Sequence, residues 1–199
     1  VTDQGMKQRL RKRIIALREQ LPETLRAAHS ANITERLLQL HEYRQAETVL
    51  GYMNFGTEFS SELWVNQVLA EGKRLALPKV NRHANQLDLY WVDDLESQLA
   101  TGLWGIREPA AERCERLSGL NEVEFMLLPG VAFTRDGARL GYGRGFYDKL
   151  LARMTHRPVL AAAAFALQIV EQIPQEPTDV RVEWIITEQE TIDCSVKPG

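Results

Sequence analysis

Apolar residues recur at Leu10, Ile14, Leu17 and Leu21 with the spacing of one helical face, which predicts an amphipathic first helix that Pro22 interrupts. A second helix is predicted from Glu23 to about His41 on Leu25, Ile33, Leu37 and Leu40. The pattern then changes to short strand-forming runs. Thr48–Tyr52 reads as a strand, Gly56–Ser60 as a loop, and Ser60 or Ser61 as the cap of a helix carrying Leu63, Trp64, Val68 and Leu69 and ending at Gly72. Further strands are predicted at Arg74–Leu77, stopped by Pro78, and at Leu87–Val92. Residues 99–116 have little periodicity and read as an irregular excursion. Order resumes with an apolar strand at Glu124–Leu128, turns at Asp136-Gly137 and Gly141–Gly145, and a helix from about Gly145 to Arg153 with Leu150, Leu151 and Met154 inward. A buried strand at Pro158–Phe165, a short helix at Leu167–Glu171, a proline-bearing loop at Pro174–Pro177 and a last strand at Val182–Thr187 complete the order. Strands alternating with helices predict an α/β fold with a mainly parallel sheet covered on both faces, and in such sheets ligands lie beyond the carboxyl ends of the strands.

The chain has 199 residues, 44% of them hydrophobic, enough for one core. A single domain over residues 6–190 is therefore expected, with flexible ends at 1–5 and 191–199. A net charge of −3 with 26% charged residues builds no strong field for nucleic acid and does not suggest disorder. Cys114 and Cys194 offer neither a metal-binding pair nor a disulfide framework, and free thiols point to a reducing compartment. There is no secretory signal pattern, and the longest apolar run, Pro158–Leu167, is well short of the ~20 residues that cross a bilayer. A cytoplasmic location, with no membrane and no nucleic-acid partner, is the expectation.

The strongest local signal is Leu140-Gly141-Tyr142-Gly143-Arg144-Gly145-Phe146-Tyr147-Asp148. Three glycines at alternate positions let the backbone turn tightly and expose its amides, a following helix adds its dipole, and Arg144 adds a charged donor, so phosphate fits. The loop ends in no Gly-Lys-Ser/Thr and lacks the dinucleotide glycine spacing; a plain turn with a capped helix is the alternative. Asp148 falls in the first helical turn, where it either stabilises the helix end or reaches magnesium between phosphates, and Asp179 is a candidate second carboxylate. From Lys7 to Arg18 there are six basic residues and no acidic one; Lys7 and Arg11, one turn apart, either close over a triphosphate or form a solvated face. Met53 to Glu58 brings together an aromatic, a glycine and a lone carboxylate, which suits a flat heterocycle held by one polar anchor or an ordinary loop. Trp104 either stacks on such a ring or packs locally. His29, His41, His83 and His156 have no nucleophile or ligand partner and read as structural or exposed.

The run from Leu128 to Phe133 and the continuous stretch Asp136 to Asp148 closely resemble the signature of the 5-formyltetrahydrofolate cyclo-ligases. Matches extend to Lys7 and Arg11, Asn54-Phe55 and Glu58, Leu77-Pro78, Leu103-Trp-Gly-Ile with Glu108-Pro109, Phe165 and Gln168, Asp179, and Thr187-Glu188. The resemblance implies a three-layer, Rossmann-like α/β/α sandwich with a mainly parallel or mixed sheet. It also implies ATP-dependent cyclisation of 5-formyltetrahydrofolate, polyglutamylated or not, to 5,10-methenyltetrahydrofolate with release of ADP and phosphate, with ATP as co-substrate and Mg2+ as cofactor. By the same resemblance Lys7, Arg11 and Gly141, Tyr142, Gly143, Arg144, Gly145, Phe146 and Tyr147 contact the nucleotide, and Arg144 lies near the reacting phosphate. Met53, Glu58 and Trp104 contact the folate, and Asp148 and Asp179 are associated with magnesium. A monomer is expected, with a dimer as the alternative. Two positions depart from the family pattern: Phe146 replaces a tyrosine, and Thr178 stands where a histidine often precedes the late aspartate.

Overall fold

The computed structural model describes residues 2–196 and begins with two long helices, α1 (Asp3–Gln20) and α2 (Glu23–Gln39), parted at Pro22. A short α3 (His41–Gln45) leads into β1 (Thr48–Leu50), α4 (Glu62–Ala70), the strands β2 (Arg74–Asn81) and β3 (Gln86–Val92), and the single turn α5 (Leu95–Gln98). Next come β4 (Leu99–Thr101) and β5 (Arg107–Pro109), then β6 (Phe125–Leu128), β7 (Ala132–Phe133), β8 (Arg139–Leu140) and α6 (Phe146–Ala152). The chain closes with β9 (Val159–Ala163), β10 (Trp184–Ile186) and β11 (Thr191–Asp193).

Seven strands form the central sheet in the order β11-β10-β9-β6-β1-β2-β3. Its interior pairs β10–β9, β9–β6, β6–β1 and β1–β2 are parallel, whereas the edge strands β3 and β11 pair antiparallel with β2 and β10. The sheet is therefore mixed, with helices on both faces. Alternate residues serve opposite layers, as strand pleating dictates. Val49, Leu75, Phe125, Leu127, Ala161 and Ile186 pack with α2, α3 and α4, while Leu50, Ala76, Met126, Leu128, Ala162 and Ile185 pack with Leu150 and Leu151 of α6. Helix α1 belongs to neither layer. Its Ile14 packs with Val131, Ala132, Leu140 and Ile173 in a third cluster, against the segment that follows β6. That places the basic helix over the carboxyl ends of the parallel strands.

Several local readings of the sequence are corrected. At the chain ends the Thr2 hydroxyl accepts the Gly5 amide at 3.3 Å and starts α1 at Asp3, and residues 191–193 add the seventh strand. Val1 and residues 197–199 lie outside the described residues. Strand β2 does not stop at Pro78. Its register with β1 ends at Ala76, so the proline sits where only β3 still flanks the strand, the edge setting a proline tolerates. The excursion over 99–116 contains an antiparallel hairpin, β4–β5, with Trp104 at its tip. Ser61 stands at the start of α4 without capping it, because its hydroxyl donates to the Tyr52 carbonyl at 2.6 Å and accepts the Asn54 amide at 3.1 Å. The helix expected over Leu167–Glu171 is only a 3-10 turn at Ala166–Gln168. There Gln168 folds back, accepting the Phe165 amide and donating to the Gly130 and Val131 carbonyls. Leu17, expected on the buried stripe of α1, is 39% exposed, and its neighbour Arg18 is buried instead.

Candidate active site

A cavity of about 1190 Å3 opens where the loops after β1, β6 and β9 meet the hairpin β4–β5 and the N-terminal half of α1. Every residue singled out in the sequence lines it: Lys7 and Arg11, Met53 and Glu58, Trp104, the whole turn Gly141–Asp148, and Asp179. Residues 172 positions apart thus share one wall system, and the cavity has two chemically different ends.

At one end lies the glycine turn. Gly143 and Gly145 have φ of +96° and +65°, a conformation that side-chain-bearing residues rarely adopt, and a Cβ at Gly143 would also touch the Arg11 guanidinium at 3.5 Å. Arg11 Nε donates to the Gly141 carbonyl at 2.8 Å, which fixes the turn against α1. Among the described residues no backbone group accepts from the amides of residues 142–147, all of which belong to residues lining the cavity. Lys7, on the same face of α1, donates to Glu176 at 3.0 Å and Asp179 at 3.3 Å. Burial opposes its charge, but the two carboxylates prevail and raise its pKa. Arg139, almost wholly buried, pairs with Asp148 Oδ1 at 2.9 Å, donates to the Pro129 carbonyl and lies over the Tyr147 ring at 5.9 Å. Phe146 packs into the core beneath the turn, and Thr178 lines the wall beside Asp179.

The two aspartates are hard oxygen donors already held by cations, and Arg139 takes only one oxygen of Asp148. Among the described residues no group of three or more His, Cys, Asp or Glu side chains is placed to hold a metal. Magnesium is commonly held by one or two carboxylates together with substrate phosphates and water. This donor set fits an ion that arrives with a nucleotide.

The other end is drier. The reciprocal Asn54–Ser61 bonds close the loop after β1, and the Phe55 amide donates to Glu58 Oε2 at 2.6 Å. Glu58 is only 8% exposed; burial lifts its pKa, and Tyr142, the Phe55 amide and Arg18 pull it back in part. Tyr52, fully buried nearby, is pushed well above the usual phenol value by burial and by the Glu58 charge. Met53 is buried beneath this loop, and Phe55 meets the Tyr142 ring edge-on at 6.5 Å. Across the opening, Trp104 is 49% exposed with φ of +59°, and the Arg144 guanidinium stands 5.4 Å over its ring. A large aromatic held exposed in the left-handed region is a backbone cost of the kind found where a side chain must face a ligand.

Two arginines at this site were not picked out in the sequence. Arg139 lies inside the glycine signature but was legible only as part of it. Arg18 is 2% exposed, donates from Nη2 to the Tyr142 hydroxyl at 3.0 Å, and keeps Nε and Nη1 without a protein partner. The signal that could have found it is the absence of any carboxylate within one helical turn of Arg18 on its inward side.

Comparison with known proteins bears on the whole chain. The family model described as the 5-formyltetrahydrofolate cyclo-ligase family matches residues 3–188. The mouse 5-formyltetrahydrofolate cyclo-ligase is 27% identical over 92% of both chains, and that of Mycolicibacterium smegmatis is 29% identical over 91% of this chain and 93% of its own. The solution structure of the Aquifex aeolicus 5,10-methenyltetrahydrofolate synthetase is 32% identical and superposes with a TM-score of 0.83, covering 98% of this chain and 95% of that one. The Mycoplasma pneumoniae 5,10-methenyltetrahydrofolate synthetase, 22% identical, shares the fold with a TM-score of 0.72 over 92% of this chain and 98% of its own.

Proposed function

We infer the working parts of this cavity from one premise: the chain belongs to the 5-formyltetrahydrofolate cyclo-ligase family and is an ATP-dependent ligase that converts 5-formyltetrahydrofolate to 5,10-methenyltetrahydrofolate. The observation that carries the assignment of parts is that the phosphate-type and heterocycle-type residues, distant in sequence, line one cavity. In this reading the reaction takes place within a single domain.

ATP lies along the glycine turn. The free amides of residues 142–147 and the side chains of Lys7, Arg11 and Arg144 meet its phosphates, and Phe146 and Tyr147 seat the turn. Magnesium, bound with the nucleotide, neutralises phosphate charge. Asp148 through its unpaired oxygen, and Asp179 once Lys7 turns to the phosphates, are the residues that would hold it. Pairing with Lys7, Glu176 and Arg139 keeps these groups in place before the nucleotide arrives.

The folate enters from the other end, with its pterin against Met53 and Glu58 and its outer ring beside Trp104. The formyl oxygen on N5 attacks the γ-phosphorus, its bond to ADP breaks, and an activated N5-iminium phosphate forms. N10 then attacks the formyl carbon, the carbon–oxygen bond breaks, and phosphate leaves with the former formyl oxygen and the N10 proton. No protein nucleophile is needed. Such chemistry depends on alignment and on charge stabilisation, which Arg144 supplies at the transferring group.

No helix among the described residues is long and apolar enough to cross a membrane. The two free cysteines suit a reducing compartment, in keeping with a cytoplasmic enzyme acting as a monomer. The direct test of the assignment is the ultraviolet absorbance of the methenyl product, followed with 5-formyltetrahydrofolate and magnesium, with and without ATP. The expected result is a rise that requires ATP. Absence of a rise from folded protein would remove the reaction from this cavity.

A further inference from the structure

Arg18 is costly where it stands. A guanidinium 2% exposed, with two of its nitrogens unpartnered, bears a desolvation cost that its one protein hydrogen bond does not offset. Its one protein hydrogen bond goes to the Tyr142 hydroxyl at 3.0 Å. Tyr142 belongs to the glycine turn, yet its ring leans on Phe55, whose amide donates to Glu58 Oε2 at 2.6 Å, and the Glu58 charge acts on the phenol. Arg18, Tyr142 and Glu58 therefore form one line from the far end of α1, across the nucleotide turn, to the buried carboxylate of the heterocycle pocket. Because the guanidinium donates to the phenol oxygen, the phenol keeps its own proton for an acceptor, and Glu58 is a carboxylate lining the same cavity.

We propose that Arg18 is a positioning residue for the cyclo-ligase reaction, which acts through the Tyr142 hydroxyl to hold Glu58 ionised and aimed at the pterin. The proposal rests on the assignment of Glu58 to the folate. A carboxylate in so dry a pocket needs a countercharge to stay anionic, and Arg18, bonded to the Tyr142 hydroxyl, is the buried cation whose charge acts on it.

The test is a double-mutant cycle in the full chain with Arg18→Met and Tyr142→Phe, reading KM for each substrate, kcat, the pH profile and the melting temperature. Each single change is expected to raise KM for 5-formyltetrahydrofolate about ten- to a hundredfold, the range for losing a charged hydrogen-bond partner, while KM for ATP moves far less. The double variant should match the worse single one, because both remove the same link. Loss of Arg18 should also shift the acid limb of kcat/KM for the folate to higher pH, since Glu58 loses its countercharge, and Arg18→Lys should restore part of that shift. Arg18→Met should melt no lower than the parent once Glu58 is also changed to Gln, because no buried carboxylate is then left without its countercharge. Additive effects in the double variant or an unmoved acid limb would overturn the proposal. Glu58→Gln separates the premise from the inference. If it leaves the folate KM unchanged, the assignment of Glu58 fails and the proposal with it; if it raises the folate KM while Arg18→Met does not, only the role of Arg18 fails.

Discussion

The two ends of the cavity hold charge in opposite ways. At the end proposed for the nucleotide, Lys7 is paired with Glu176 and Asp179 and Arg139 with Asp148, while Arg11 and Arg144 have no ion-pair partner among the described residues. At the folate end Glu58 is dry, reached by one backbone amide and by the indirect link to Arg18. Paired, partly wet charges exchange partners cheaply, so they can be handed over to phosphates and a metal ion when these bind. A dry carboxylate cannot be re-solvated without opening the loop, so it selects by geometry and protonation state. The difference suggests that one end is built for tight but exchangeable charge neutralisation and the other for discrimination.

If that contrast is right, changes at the nucleotide end should act on the chemical step. Arg144→Ala should lower kcat about a hundred- to a thousandfold, the usual loss when a transition-state charge donor is removed, with folate binding retained in an equilibrium titration. Asp148→Asn should act next most strongly, raising the magnesium concentration for half-maximal rate about tenfold or more while leaving the folate KM alone. A folate defect of equal size would merge the two ends into one. Ionic strength sharpens the comparison without mutation. Between about 0.05 and about 0.5 M salt, KM for ATP should climb several-fold, whereas that for the folate anchor, shielded from the Debye atmosphere, should change little.

The smallest expected effect concerns stability. Burial raises the folded-state pKa of Glu58, so its carboxylate costs stability at neutral pH, and the cost disappears as the pH falls through the folded pKa toward the ordinary glutamate value. Glu58→Gln should accordingly melt slightly higher than the parent at pH 7, and the gap should close in acid. A gap that widens in acid would place the carboxylate in a stabilising pair instead.

Most of the core and the nucleotide turn were legible because they are written locally. Alternation in Phe125–Leu128, helical spacing in α2 and the glycines at 141, 143 and 145 each depend on neighbours in sequence. The failures were of another kind. Pro78 looks like a stop until one knows that β1 has already ended beside it. Strand β11 has three residues and becomes a strand only by pairing with β10. Trp104 gives no hint that it crowns a hairpin. Leu17 was placed on the buried stripe and Arg18 was passed over, since polarity alone sends leucine inward, yet the structure exposes the first and buries the second. The partner that reverses them, Tyr142, lies 124 positions away. Where simple patterning failed most clearly, the structure places a group of the candidate site, as expected where local preference yields to function.

Helix α1 carries Lys7, Arg11 and Arg18 along one stripe, two groups toward the nucleotide turn's phosphate side and one behind the folate carboxylate. With a rise of about 1.5 Å per residue, Lys7 and Arg18 stand roughly 16 Å apart along a rigid rod. On the proposed assignment, the helix is thus a caliper set to the spacing between two substrates. A caliper tolerates repainting but not re-cutting: exposed Arg9, Lys12 and Arg13 can change freely, whereas inserting or deleting one residue between Lys7 and Arg18 would turn one jaw by about 100° relative to the other.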